Sequence, residues 1–303
     1  MISFRYHLVS IVAVFLALAL GVLIGTTVVN QTIIADLDRR TEAASQSADE
    51  LRREVSDMRT EIQLQDRFAQ AALPLLIEDQ LLATEVVLMT LEGVDASDVD
   101  GVGSALRDAG ASVVAEMVVT ARMALVDDSA RIELAALLEM SDSGVPAELS
   151  QAAGRSLGSR LAQGPDPVDG DLLQELATAG FLDIQSGRPL AEIGGEGQAV
   201  VLLAGGIGDP VVDPEAFLAP LAEALAQAVR PVVAAETLES DYPFVQVVRS
   251  NGSIDGRLVT VDNADQVPGR IAIVLGLRNL LQSPGQGGDY GVKEGASGLL
   301  PQP

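Results

Sequence analysis

Carboxylates are the side chains in this sequence whose type and spacing best suit acid–base chemistry. Glu236 and Glu239 close the apolar run VVAAETLES. At the end of a strand they would face the crevice that opens at the carboxyl edge of a parallel sheet, where paired carboxylates can work as acid and base. Asp262 and Asp265, in TVDNADQVPGR, stand nearby in this reading, and Asp262 is expected to cap the helix that follows. The loop Gly205–Gly206–Ile207–Gly208 follows another apolar run and would offer backbone N–H groups to an anion. It is not GxGxxG, and Asp209–Pro210 falls where a helix N-terminus would receive a pyrophosphate, so a tight turn is the simpler reading.

Other chemistries are excluded. His7 is the only histidine and cysteine is absent. Ser–His–Asp and Cys–His catalysis therefore have no members in the body of the chain, and zinc sites built on those ligands have none either. Aromatic residues make up 3% of the chain, too few for a platform that stacks sugars or bases. The sequence is expected to be no enzyme and to hold no cofactor.

The elements that would position the carboxylates follow a repeated rhythm. Glu85–Leu91 (EVVLMTL) is followed by an acidic turn, the helical stretch DVDGVGSALRDAG and a second apolar run, SVVAEMVV. Gln198–Ala204 (QAVVLLA) is followed by GGIGDPVVD, the helical PEAFLAPLAEALAQAV and RPVVAAETL. Strand, loop, helix, strand, twice over, indicates parallel βαβ units, and apolar runs without alternation indicate strands covered on both faces. Residues 130–180 read as helices broken at SDSGVP and GPDPVDG. FVQVV and RLVTV are further apolar runs, and QVPGRIAIVLGLRNLLQ is a last helix. The expected body is an α/β domain over residues 80–283, a mostly parallel Rossmann-like sheet with helices on both faces. The Gly- and Pro-rich residues 284–303 read as an irregular C-terminal tail.

Ahead of the body lie an apolar run and a heptad pattern. Leu8 to Val29 carries no charge. Its 22 residues would span roughly 33 Å as a helix, enough for a hydrocarbon core of about 30 Å. A cleaved signal peptide is the competing explanation, but the run is longer than such segments and lacks an A-x-A pattern after Gly25, so residues 1–32 read as a retained anchor. Ala13, Ala17, Gly21 and Gly25 recur at a spacing of four, ending in GVLIG, a GxxxG helix-pairing motif. Apolar or small residues then alternate at spacings of three and four from Ile34 to Ala72, with Leu51, Val55, Met58 and Ile62 the strongest stretch. Residues 33–73 read as a coiled-coil stalk ended by Pro74, rather than as an amphipathic helix lying on its own domain. Span and stalk together indicate a homo-oligomer. Arg5 on one side and Arg39 and Arg40 on the other leave the positive-inside count balanced. The short N-terminal tail favours a cytoplasmic N-terminus with the body outside the cytoplasm.

The net charge is −24, and the residues from Pro74 onward hold 34 acidic against 12 basic side chains. Such a body repels phosphate backbones, so nucleic acid is not an expected partner.

The opening MISFRYHLVSIVAVFLALALGVLIGTTVVN, the heptad stretch, VVLMTLEG, VDNADQVPGRIAIVLGL and the ending DYGVKEGASGLLPQP together resemble the actinobacterial copper transporter MctB family, the mycobacterial copper transport protein B group. The resemblance implies a cell-envelope protein of copper efflux, an oligomeric channel with copper as the transported species. The residues themselves assign no metal ligands. Cu(I) prefers Cys, Met and His, whereas Met89, Met117, Met123 and Met140 are scattered through apolar runs as core residues would be. The span offers only Ser10, Thr26 and Thr27 as polar side chains. The alternative reading is a coiled-coil scaffold whose acidic α/β domain binds an envelope partner or small ligand without moving metal.

Overall fold

The computed structural model of the chain describes residues 4–140, 145–165, 170–208, 210–254 and 256–302, and omits the side chains of 26–35 and 38. It divides into two compact units, Met1–Gln65 and Asp66–Pro303. Helix α1, Phe4–Ile77, supplies the described part of the first unit and the start of the second. Its apolar stretch is Phe4–Gly25, 22 residues long and exposed throughout. The side chains of residues 26–29, the rest of the expected span, lie outside the described residues. Pro74 does not end the helix. It lies inside α1, which continues to Ile77, and the Glu78 N–H donates to the Pro74 carbonyl at 2.9 Å. The missing proline N–H weakens this turn, but burial of Ile77 and Leu81 against the sheet holds it.

The second unit is built on seven strands: β1 (Glu85–Leu91), β2 (Ser112–Val119), β3 (Leu182–Ser186), β4 (Gln198–Ala204), β5 (Val232–Glu236), β6 (Val259–Val261) and β7 (Gly288–Tyr290). Their order is β3-β2-β1-β4-β5-β6-β7, and every neighbouring pair is parallel except β2 with β3. All seven residues of β4 and six of the seven in β1 are buried, which is why both read as unbroken apolar runs. Alternate side chains feed two cores. Val86, Leu88, Val201 and Leu203 pack with α2 (Ala96–Asp108), α8 (Val267–Gln282) and Ile77 and Leu81. Val87, Met89, Leu91, Val200 and Leu202 pack on the opposite side. There they meet α3 (Asp128–Leu137), α4 (Pro146–Gln163), α5 (Leu172–Thr178), α6 (Ala219–Gln227) and α7 (Phe244–Ser250). The architecture is thus the mostly parallel α/β sheet with helices on both faces that the strand–helix rhythm indicates.

Two runs whose pattern assigns no element take one here, and one reading is corrected. The run FVQVV is helix α7, because Pro243 precedes it and a buried carboxylate receives its Val245 N–H. FLDIQS, unassigned by its pattern, forms the antiparallel strand β3. The C-terminal tail is not irregular throughout: Gly288–Tyr290 pairs with β6 as β7. The expected breaks at SDSGVP and GPDPVDG fall largely on residues 141–144 and 166–169, outside the described residues.

Close packing of α4 on α6 depends on glycine. A Cβ on Gly158 would stand 2.7 Å from the Leu221 carbonyl oxygen and 2.8 Å from the Ala224 Cβ. Gly158→Ala should therefore lower stability by about 1–3 kcal/mol. Gly252→Ala, where no atom lies within 4 Å, should stay within about 0.5 kcal/mol of the parent. Urea unfolding of the detergent-solubilised chain compares the two; equal effects would show that this contact does not constrain the helices.

Candidate functional site

Strand order reverses between β1 and β4: β1 leads to β2 on one side, while β4 leads to β5 and β6 on the other. The loops leaving these two strands part at the carboxyl edge, the place where open α/β sheets bind ligands. A crevice of about 330 Å³ lies there. Gly93, Asp95 and Asp98 enter it from the β1–α2 connection, and Gly206 and Ile207 from the loop after β4. Thr237 and Glu239 come from beyond β5, and Asp265 from beyond β6.

Four carboxylates share this crevice. Asp95 is the N-cap of α2, accepting the Ser97 N–H and hydroxyl at 2.7 Å each, and those bonds hold its carboxyl below the ordinary range. Asp265 accepts the Leu238 N–H at 2.6 Å. Partial burial, then the charges of Asp265 and Asp95, push the Asp98 carboxyl up, while Arg270 opposes the shift. The arrangement attracts cations and repels phosphate. Among the described residues, no group of three or more His, Cys, Asp or Glu side chains is placed to hold a metal ion.

A second cavity, about 320 Å³, lies across the β5 end and is walled by Glu236, Tyr242, Arg249, Lys293 and Glu294. Glu236 is 2% exposed. Its Oε1 accepts Lys293 Nζ at 2.8 Å and its Oε2 accepts the Val245 N–H at 2.9 Å. Burial pushes this carboxyl above the usual value of 4.5; the Lys293 and Val245 hydrogen bonds pull it back, and the Asp262 charge adds to the rise. Beneath it Asp262, fully buried, pairs with Arg249 at 2.8 Å and accepts the Val292 and Lys293 N–H groups at 2.7 and 3.1 Å. Arg249 also donates to Thr260 Oγ1 and to the Tyr290 and Glu294 carbonyls. Gly291, at φ +129°, lets this strand end approach: a Cβ there would collide with the Asp262 carboxylate.

The expected crevice residues therefore divide. Glu239 and Gly206 line the switch-point crevice, and Glu236 lines the other cavity. Gly205 sits where a Cβ would meet Thr237 Oγ1 at 2.7 Å, and the Gly208 N–H donates to Asp241 at 2.9 Å rather than facing an open cradle. Asp209 lies outside the described residues. Asp262 does not cap the last helix: Gln266 occupies the N-cap of α8 without a side-chain bond, because Asp262 is engaged by Arg249 and the C-terminal segment. Lys293 and Arg249 were not anticipated. The usable signal was that Lys293 is the single lysine of the chain. Asn263 beside them is fully buried with both amide atoms unpaired, and nothing in the structure explains it.

The expected helix-pairing residues belong to the first unit. Ala17, Gly21, Gly25, Leu51, Val55, Met58 and Ile62 are all exposed on α1, and a Cβ at Gly21 or Gly25 would meet no atom within 4 Å. Of the methionines, Met89, Met117 and Met123 are buried in the sheet core, Met140 packs at its edge and Met58 is exposed.

A family model described as "Copper transport outer membrane protein, MctB" matches residues 1–301. The Copper transporter MctB of Mycobacterium tuberculosis is 27% identical over 313 aligned positions, covering 98% of each chain. That of Mycobacterium bovis matches to the same extent. That of Mycobacterium leprae is 29% identical over 339 aligned positions, covering 100% of both.

Two substitutions check the charge network. Asp262→Asn takes from buried Arg249 its nearer counter-charge, leaving only Asp289 at 3.6 Å, and should cost about 3 kcal/mol in urea unfolding; a loss below about 1 kcal/mol would show that the pair does not tie the C-terminal segment down. For Glu236 the folded carboxyl titrates above the unfolded one, so the folded chain binds more protons and this residue's contribution to stability falls as pH rises above 4.5. Glu236→Gln should therefore gain stability relative to the parent as pH is raised from 4.5 toward neutrality, measured by melting temperature. A difference that shrinks over this window would contradict the burial effect.

Proposed function

The chain belongs to the family described as copper transport outer membrane proteins, MctB, and from that premise we propose that it acts in copper transport as a membrane-anchored, self-associated protein. The observation that carries the reading is the extent of the match. Residues 1–301 include the apolar helix, the heptad stretch and the α/β body, so the likeness is not that of a widespread fold alone. Copper is the transported species in this reading, with no catalytic step and no resident cofactor. The N-terminus lies in the cytoplasm and the body outside it.

The residues favour an anchor over a conduit for the span. One helix encloses no pore, and Phe4–Gly25 is polar only at its first residues and at Ser10. A channel would need the spans of several copies. The body supplies a strongly acidic surface, and its thioethers lie within or against the core. A second reading is favoured by the crevice at the strand reversal: the α/β body acts as a scaffold that binds an envelope partner or small cation there, without moving metal itself.

Deleting the gene should raise cellular copper and sensitise growth to it, and the full chain should restore both while a chain lacking residues 1–32 should not. Copper content measured by mass spectrometry decides it. Unchanged copper on deletion would overturn the transport reading and leave the scaffold reading standing.

A further inference from the structure

Resting on the proposed self-association, we propose that residues 37–65 of α1 pair with the same residues of a second copy as a parallel, two-stranded coiled coil, kept in register by Glu54 of one copy against Arg59 of the other.

The stripe is open. Leu37, Leu51, Met58 and Ile62 are 63%, 60%, 49% and 56% exposed on one helix. Apolar residues at spacings of three and four make a seam that buries only against another helix. In heptad terms, Thr41, Ala48, Val55 and Ile62 fall at a, and Leu37, Ala44, Leu51 and Met58 at d. Branching at Cβ at three of the four a positions (Thr41, Val55 and Ile62), with Leu or Met, unbranched at Cβ, at three of the four d positions, favours two strands over three or four.

Charge fixes the direction. The flanks of the stronger seam carry Arg52 and Arg59 at e, and Glu54 and Glu61 at g. A parallel pair sets g of one helix against the following e of the other, so Glu54 meets Arg59 twice across the two-fold axis, whereas the next such pair, Glu61 against Asp66, is like-charged and marks the end of the paired segment. An antiparallel pair would set arginine against arginine and glutamate against glutamate. Among the described residues, neither Glu54 nor Arg59 has an ion-pair partner within its own chain. The span leads to the same orientation independently. It occupies the N-terminal end of the same helix, so two copies inserted in one membrane with one topology meet with their helices running the same way.

The chain has no cysteine, so single cysteines report contacts without background. In membranes holding the full chain, Leu51→Cys and Met58→Cys should each form disulfide-linked dimers on mild oxidation, whereas Thr60→Cys, on the outer face, should give less than a tenth as much. Glu54→Arg should cut crosslinking through Met58→Cys several-fold, and adding Arg59→Glu should restore it. Equal crosslinking at residues 58 and 60, or no restoration by the double swap, would overturn the pairing. The mass of the solubilised parent should be two copies. Three or more copies would overturn two-strandedness while leaving self-association intact; a single copy would overturn both.

Discussion

An apolar stripe on a helix must be covered, and that constraint governs the first unit of this protein. In α1 the side chains of Leu51, Val55, Met58 and Ile62 repeat on one face and meet solvent. A helix is held mainly by burial of its apolar face, because its own hydrogen bonds and propensities contribute little net stability. The same helix opens with the 22-residue, mostly apolar stretch Phe4–Gly25, which requires lipid as the stripe requires protein. Both demands are met when copies are anchored side by side.

The second unit solves a different problem, that of enclosing charge. Its sheet is apolar on both faces, yet Glu236, Asp262 and Arg249 lie within it at the carboxyl ends of β5 and β6 and on α7. Desolvating such groups is costly unless each finds partners. Here the partners come from two directions: α7 supplies Arg249 and the Val245 N–H, and the C-terminal segment supplies Lys293 and two backbone N–H groups. Residues 288–293 thus complete the sheet and satisfy its buried acids at once. Across β5, the crevice at the strand reversal keeps four carboxylates near water, a division of roles between buried and solvated acids within one edge.

How far the sequence shows this depends on whether the signal is local. The βαβ rhythm was legible because runs such as VVLM and VVLLA need no partner to be recognised, and the alternation of helix and strand fixes a parallel sheet. The exposed face of α1 was legible for the same reason, since its spacing is written along one helix. What was hidden depends on distant partners. FVQVV has a strand's composition, and it became α7 because Glu236, eight residues before its start, receives the Val245 N–H. Asp262 has a capping residue's context, yet Arg249 and residues 292–293 engage it instead. The tail's glycines indicate irregular chain, but Gly291 is what allows the last segment to reach the buried acid. Glu236 and Glu239, three apart, look like one pair in sequence; the end of β5 sends them into separate cavities.

The central claim is that this member of the copper transport family works as an assembly joined through α1. It is tested most directly by cellular copper content in a strain whose only copy carries Val55→Asp and Ile62→Asp, at unchanged amount in the membrane. The account predicts the raised copper of the deletion strain, because carboxylates facing one another at these positions break the seam while leaving the α/β body intact. Copper held at the level of the unmodified protein would contradict it.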